Sequence, residues 1–117
     1  MKIAVAVTLA ASFAAPLAHA DGPPGSAVNG KAQFMKNMCY TCHGTVGQGG
    51  ERGAGPKLAP NPFPFVAFEM QLRTPRGVMP RFPKQFVSDQ DLADIYQYVA
   101  SIPAGKPASE IALLKGR

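Results

Sequence analysis

The chain has 117 residues, with 12 Lys and Arg against 7 Asp and Glu for a formal charge of +5. That length allows one small domain, and so thin a positive excess lacks the dense basic footprint of a nucleic-acid binder. Twelve glycines and twelve prolines withdraw much of the sequence from regular structure, leaving little apolar surface for a core built from side chains alone.

Lys2 precedes the apolar run IAVAVTLAASFAAPLA, which ends in the small-residue sequence AHA. This pattern predicts a secretory signal peptide over residues 1–20, cleaved after Ala20, and therefore a periplasmic mature protein. The apolar core is too short for a comfortable membrane crossing and lacks stop-transfer flanks. Cleavage removes Met1, Lys2 and His19 and leaves His43 as the only histidine. A domain over residues 21–103 and a tail over 104–117 complete the expected organisation.

In residues 28–38, Val28, Ala32, Met35 and Met38 recur at helical spacing with Phe34 beside them, which predicts one helix running into the first cysteine. Gly30 inside that helix costs stability relative to alanine. It marks either close approach by another element or a tolerated surface glycine. Residues 44–64, GTVGQGGERGAGPKLAPNPFP, carry no helical or strand period and read as loop. A structureless stretch of this length argues against a compact domain unless it wraps a large non-protein group.

A second helix is predicted over 65–73, FVAFEMQLR, opened by a proline run and stopped by Pro75. TPRGVMPRFP is again irregular. The last helix has the clearest signals: Ser88 as cap, Asp89 and Asp91 at its positive end, and Leu92, Ile95, Tyr96 and Val99 on one apolar face before Pro103. With no strand candidate and no repeat, the expected fold is all-α, with three helices and long loops.

Both cysteines fall in CYTCH, residues 39–43. A disulfide between Cys39 and Cys42 would close too short a loop to constrain the unfolded chain. A thioredoxin-type dithiol expects a βαβ setting that this sequence does not have. Zinc needs four ligands, and two cysteines with one histidine leave carboxylates to complete the set. Cys-x-x-Cys-His is also the signature of covalent haem attachment. Two thiols one helical turn apart can add to the two vinyl groups on one porphyrin edge, while the adjacent His43 imidazole reaches the iron.

Across residues 28–103 the chain resembles the small class I c-type cytochromes. CYTCH, GPKL at 55–58, GVMP at 77–80 and LADIYQYVAS at 92–101 carry the resemblance. It implies a cytochrome c fold around one covalent haem c, with Gly30 and Phe34 of the first helix packed against Tyr98 of the last. It also implies that the Pro56 carbonyl holds the outer nitrogen of His43, that Leu58 lies against the porphyrin, and that Arg52 and Arg73 contact the haem propionates.

For the second axial position the sequence offers methionine, lysine, water or nothing. Met35 and Met38 are too near His43 to reach the opposite haem face easily, and Met70 reads as flexible core filler. Met79 differs, because Pro80 biases it away from helical geometry and Gly77 lets the chain turn just before it. His/Met ligation would close both axial sites and suit the iron to moving one electron. Phe63, Phe65, Phe68, Phe82 and Phe86 read as the dry lining of the haem crevice. Lys57, Arg81 and Lys84 either frame the exposed haem edge and steer an acidic partner or are surface charge.

The expected protein is thus a periplasmic monohaem electron carrier without enzymatic activity, alone or within a hetero-complex. Its partner would be a redox protein, either a dehydrogenase donor or a terminal oxidase. GERGAGPKLAPNPFPF and QLRTPRGVMPRFP are similar to loops of cytochromes that serve flavin- or quinone-dependent dehydrogenases. A haem enzyme or gas sensor with an open sixth site is one alternative, and an apo domain using its thiols for redox work is another.

Overall fold

The structure, a computed structural model, describes residues 22–51 and 54–114. The expected signal peptide and Arg52 lie outside them. Among the described residues there is no strand, and the helices are α1 (Ala27–Lys36), α2 (Tyr40–His43), α3 (Phe65–Arg73) and α4 (Asp89–Ser101). The fold is all-α, as expected, with one short helix more than the sequence predicted.

α4 organises the rest. Its capping box is complete: the Asp91 amide donates to Ser88 Oγ at 3.0 Å and the Ser88 amide returns to Asp91 Oδ2 at 3.3 Å. These contacts satisfy donors that the first turn leaves without helical partners. Leu92, Ile95, Tyr96 and Val99, at i, i+3, i+4 and i+7, are each no more than 2% exposed and form the spine of the core. Ile102, extended ahead of Pro103, ends the helix.

α1 crosses α4 at Gly30, where any Cβ would collide with the Asp94 carbonyl. Close backbone approach therefore explains why glycine is kept inside a helix. One turn on, Phe34 meets Tyr98 edge to face, with centroids 5.5 Å apart and an interplanar angle of 62°. Gly30 and Phe34 are the only buried residues of α1, while Val28 is 86% exposed and Met38 60%. The buried stripe is therefore not the one that the apolar residues suggest. The close crossing fixes which face of α1 turns inward, and the larger apolar side chains are carried outward.

α1 does not run into the cysteines either. It closes in a Schellman motif, with the Met38 amide on the Met35 carbonyl at 3.1 Å and the Cys39 amide on the Phe34 carbonyl at 3.0 Å. Met38 takes the left-handed conformation there, at φ 58°, which costs an L-residue about 1–2 kcal/mol. The resulting turn reorients the chain, so that α2 starts as a separate helix.

Residues 22–26 lie along α4 as a strap. Gln97 Nε2 donates to the Pro23 carbonyl at 3.1 Å and Gln90 Nε2 to that of Pro24 at 3.4 Å. Asp94, buried at the crossing, accepts from the Ser26 amide at 2.7 Å, from Gln90 Nε2 at 2.9 Å and from Asn29 Nδ2. Burial alone would push this carboxyl up, but the bonds from Asn29, Ser26 and Gln90 outweigh it and hold Asp94 below the ordinary carboxylate value.

A pH dependence follows with a definite sign. The unfolded chain binds the Asp94 proton more tightly than the folded one, so this contribution is complete above the unfolded value of about 4 and disappears as pH falls through the lower folded value. Asp94→Asn is expected to lose about 1–3 kcal/mol at pH 7, because hydrogen bonds to a charged group contribute about 1.5–3 kcal/mol and part of that is forfeited. In urea unfolding of the haem-loaded protein the gap from wild type should narrow below pH 4. A gap independent of pH would show that the carboxylate charge is not what matters.

α3 packs on α4 through Phe65 and Phe68, whose rings meet Tyr96 at 5.2 and 5.3 Å. Phe65 and Phe68 thus belong to a helix interface, Phe82 packs at the edge of the core, and Phe63 and Phe86 are 67% and 68% exposed. Met70, expected as core filler, is 60% exposed on the outer face of α3. After Ile102 the chain forms two short 3-10 turns, Ala108–Glu110 and Ala112–Leu114, with no buried residue.

Candidate haem site

The cysteine motif stands on α2, a single turn of helix. Cys39 caps its start in helical geometry and is partly buried at the edge of the core, whereas Cys42 is exposed; both thiols are free. Burial pushes the Cys39 thiol up to about 11, against a smaller opposing effect of its backbone hydrogen bond. A dithiol oxidoreductase depends on a lowered thiol pKa, and Cys39 is shifted the other way. Among the described residues no three His, Cys, Asp or Glu side chains come together as a metal cluster. Those residues offer zinc no donor set.

His43 is 8% exposed, and its Nδ1 lies 2.8 Å from the Pro56 carbonyl. With Nδ1 donating to that carbonyl, the proton is held on the outer nitrogen and Nε2 is the nitrogen available to a metal. The ring is also fixed in rotation. This is the contact that the resemblance implies for Pro56, made by an exposed loop residue with no side-chain donor of its own.

The glycine-rich loop brings Pro56 there. Its backbone folds on itself and on α2: the Gly49 amide reaches the His43 carbonyl at 2.9 Å, Gly50 the Gly55 carbonyl at 3.1 Å, and Leu58 the Gly47 carbonyl at 2.8 Å. A Cβ at Gly50 would strike the Cys42 carbonyl, and one at Gly55 would strike that carbonyl and lie 3.1 Å from His43 Nδ1. The loop is thus ordered by its own hydrogen bonds around the imidazole, which composition alone does not suggest. Tyr98 anchors its start, donating from its hydroxyl to the Thr45 carbonyl at 2.8 Å. One residue of α4 thereby serves both the crossing with α1 and the loop around His43.

Met79 is partly buried and packs against the same core as Cys39 and Leu58. Its Sδ accepts from Gln71 Nε2 of α3 at 3.6 Å, and Gln71 also reaches the Arg76 carbonyl at 3.4 Å. Gly77, at φ 71°, provides the left-handed turn just before it. Sequence reasoning passed over Gln71. A polar residue one position before the buried Leu72 on α3 was its only signal.

The resemblance sets Arg73 on a propionate, but the structure gives its two terminal nitrogens other partners. Nη1 donates to the Phe82 and Val87 carbonyls at 2.8 and 2.7 Å, and Nη2 pairs with Asp89 at 2.8 Å. Arg73 therefore clamps the segment between α3 and α4. Its Nε is buried and has no protein partner. Lys84 pairs with Asp89 at 2.6 Å, and Lys57, Arg76 and Arg81 are exposed.

A family model described as cytochrome c oxidase, cbb3-type, subunit III matches residues 25–99. The chain belongs to this family of c-type cytochrome domains. It is also similar to the cytochrome c subunit of 4-cresol dehydrogenase (hydroxylating) from Pseudomonas putida, at 32% identity over 97 residues that cover 83% of this chain and 76% of that protein. No solved structure matches it.

Membership makes the protein an electron-transfer protein carrying covalently bound haem c with its iron. The residues present fit that group. Two unpaired thiols stand one helical turn apart, and an imidazole has its outer nitrogen already tethered. A thioether borders the same core, and imidazole with thioether is an established donor pair for haem iron.

Proposed function

We propose that this protein is a periplasmic carrier of single electrons, attached to haem c through thioethers at Cys39 and Cys42, with His43 and Met79 as axial ligands. It performs no substrate chemistry of its own. The observation that carries this reading is the His43 to Pro56 contact, which holds the imidazole for ligation through Nε2. Bound haem c supplies reversible one-electron chemistry at iron.

The chain's residues do the rest. Cys39 and Cys42 fix the position of the group on α2, His43 donates from a ring that cannot rotate, and Leu58 and Phe82 exclude water from the edge of the core. Met79, partly buried at the same core edge, would supply the second donor to the iron and so leave no place there for oxygen or peroxide. Lys57, Arg76 and Arg81, exposed near the ligand-bearing loops, would draw an acidic redox partner.

The donor we propose is a dehydrogenase, in keeping with the similarity to the 4-cresol dehydrogenase cytochrome subunit. A resident subunit role, rather than a free shuttle to an oxidase, is favoured by Val66 and Met70. These sit at i and i+4 on the outer face of α3, 68% and 60% exposed, and Phe63, three residues before Val66 in the chain, is 67% exposed. Exposed large apolar groups in one region are characteristic of protein interfaces.

The closed site has a direct test. Oxidised protein should show the far-red charge-transfer band of Met-ligated haem, and reduced protein should bind carbon monoxide slowly or not at all. Rapid carbon monoxide binding with no far-red band would replace the carrier with an open-site haem enzyme or gas sensor.

A further inference from the structure

α1 has two faces, and the core uses one. Gly30 and Phe34 are buried against α4, while Val28, Ala32 and Met35 recur at i, i+4 and i+7 on the side turned away, Val28 at 86% exposure and Met35 at 37%. Met38, just past the end of the helix, is 60% exposed. An apolar stripe with this period normally faces an interior. Here it faces outward, and Lys31 and Lys36, both exposed, stand on its two flanks.

From this arrangement we infer that the outer face of α1 is a docking surface for an electron-accepting redox protein that presents an apolar groove edged by carboxylates. The inference rests on the reading of the protein as a one-electron carrier. The transfer oxidises the carrier by one equivalent and reduces the partner by one, with no bond made or broken. Charge decides between occupants. Residues 22–50 contain Lys31 and Lys36 and no Asp or Glu, so two copies joined through α1 would set lysines against lysines with no acid from this segment to pair. The tail is no better suited, having Lys106, Lys115 and Arg117 against Glu110 alone. The strap leads elsewhere, because a Cβ at Gly22 would meet the rings of Tyr96 and Phe65 on the α3 side of α4. What fits is an acidic partner that takes the helix with apolar anchors in a groove and opposite charges at its edge.

The face is also independent of α3. On α4, Asp94 and Tyr98 meet α1 whereas Tyr96 meets α3, and positions two apart on an α-helix point to nearly opposite sides. α1 and α3 therefore flank α4, and their outer faces look away from each other. A donor held on Val66 and Met70 would leave the α1 face open for an acceptor. Met38 at the end of α1 adjoins Cys39, so a partner lying along the helix extends to the segment that carries the haem.

The test uses haem-loaded protein and, as probe, a blue-copper protein whose apolar docking face is edged by carboxylates. When the reduced protein is titrated with the Cu(I) probe, amide shifts should concentrate at residues 28–38. Electron transfer from reduced protein to the Cu(II) probe at low salt should slow about tenfold in the double variant Lys31→Glu/Lys36→Glu, and the difference should close as salt rises. Met35→Gln should weaken binding about fivefold at every salt concentration, the loss expected when a large apolar anchor is no longer buried. Leu113→Gln, an equally polar change at a tail position that is 90% exposed, should alter neither. These side chains lie at the surface, so the far-red band and the unfolding of each variant should match wild type.

Shifts centred on α3 or on residues 76–81 would overturn the inference, as would rates in the α1 variants equal to wild type or no measurable interaction with the probe. Concentration-dependent dimerisation that Met35→Gln abolishes would make the occupant a second copy and overturn it too. A wild-type protein that is not reversibly oxidised and reduced at an electrode would remove the carrier, and the α1 surface with it. Reversible behaviour with indifferent α1 variants would remove only the surface.

Discussion

Met79→Ala should abolish the far-red band of the oxidised protein, open the iron to rapid carbon monoxide binding in the reduced state, and lower the reduction potential by about 0.2 V, a fraction of the roughly 0.8 V range that axial ligation spans. Three features of the fold converge on this expectation. Met79 packs at the core edge shared with Cys39 and Leu58, its sulfur is already held by Gln71, and Gly77 and Pro80 constrain the backbone on either side. Met70 is the control. It stands on the outward face of α3 at 60% exposure, so Met70→Ala should leave band, potential and carbon monoxide reactivity as they are. The reverse ranking would move the ligand role to α3.

Gly30→Ala should destabilise the haem-loaded protein by about 3 kcal/mol, at the upper end of what overpacking a well-filled interior usually costs. For a domain of this size the melting temperature would fall by roughly 10–20 °C. The added methyl meets the Asp94 carbonyl and the Ile95 amide of α4. These are backbone atoms in the middle of a helix, and they cannot turn aside as a side chain can. α1 must lift, and with it Phe34 leaves Tyr98 and the Asn29 and Ser26 donors leave Asp94. Helix propensity pulls the other way by about 1 kcal/mol. A variant more stable than wild type would mean that α4 can retreat without loss, and that the crossing is looser than its geometry indicates.

How far the sequence discloses this architecture depends on how local each cause is. Cys39, Cys42 and His43 are legible because their chemistry is set by spacing within five consecutive residues. α3 and α4 are legible because prolines and a serine cap bound them, and Gly30 because a glycine inside a helix calls for a reason. The inward face of α1 is misjudged for the opposite cause: Val28, Ala32, Met35 and Met38 outweigh Gly30 and Phe34 in any apolar count, yet a backbone crossing decides the matter. Met38, at the end of the same helix, adopts a conformation expected of glycine, so the break before Cys39 has no compositional mark.

Asp94 and Gln71 are silent in the sequence because their partners are distant or unexpected. The Ser26 amide is 68 positions from Asp94, and a thioether is a weak acceptor that pattern reading does not assign to an amide. Arg73 is legible as a cation near the site, whereas its engagement with the Phe82 and Val87 carbonyls depends on where the following segment returns. The glycine-rich loop is legible as loop. Its own hydrogen-bond pattern around His43 follows from left-handed turns at Gly44, Gly47 and Gly49 that only coordinates reveal.

The pairing of α1 with α4 joins the first helix of the described chain to the last long one. During synthesis the segment bearing Cys39, Cys42 and His43 emerges well before the helix that will hold it, and α1 has no Tyr98 or Asp94 to dock on until α4 has emerged. A nascent chain interrupted before residue 89 would present both thiols on a segment still free to bend. Until α4 is in place, both thiols therefore sit on a segment without its docking partner.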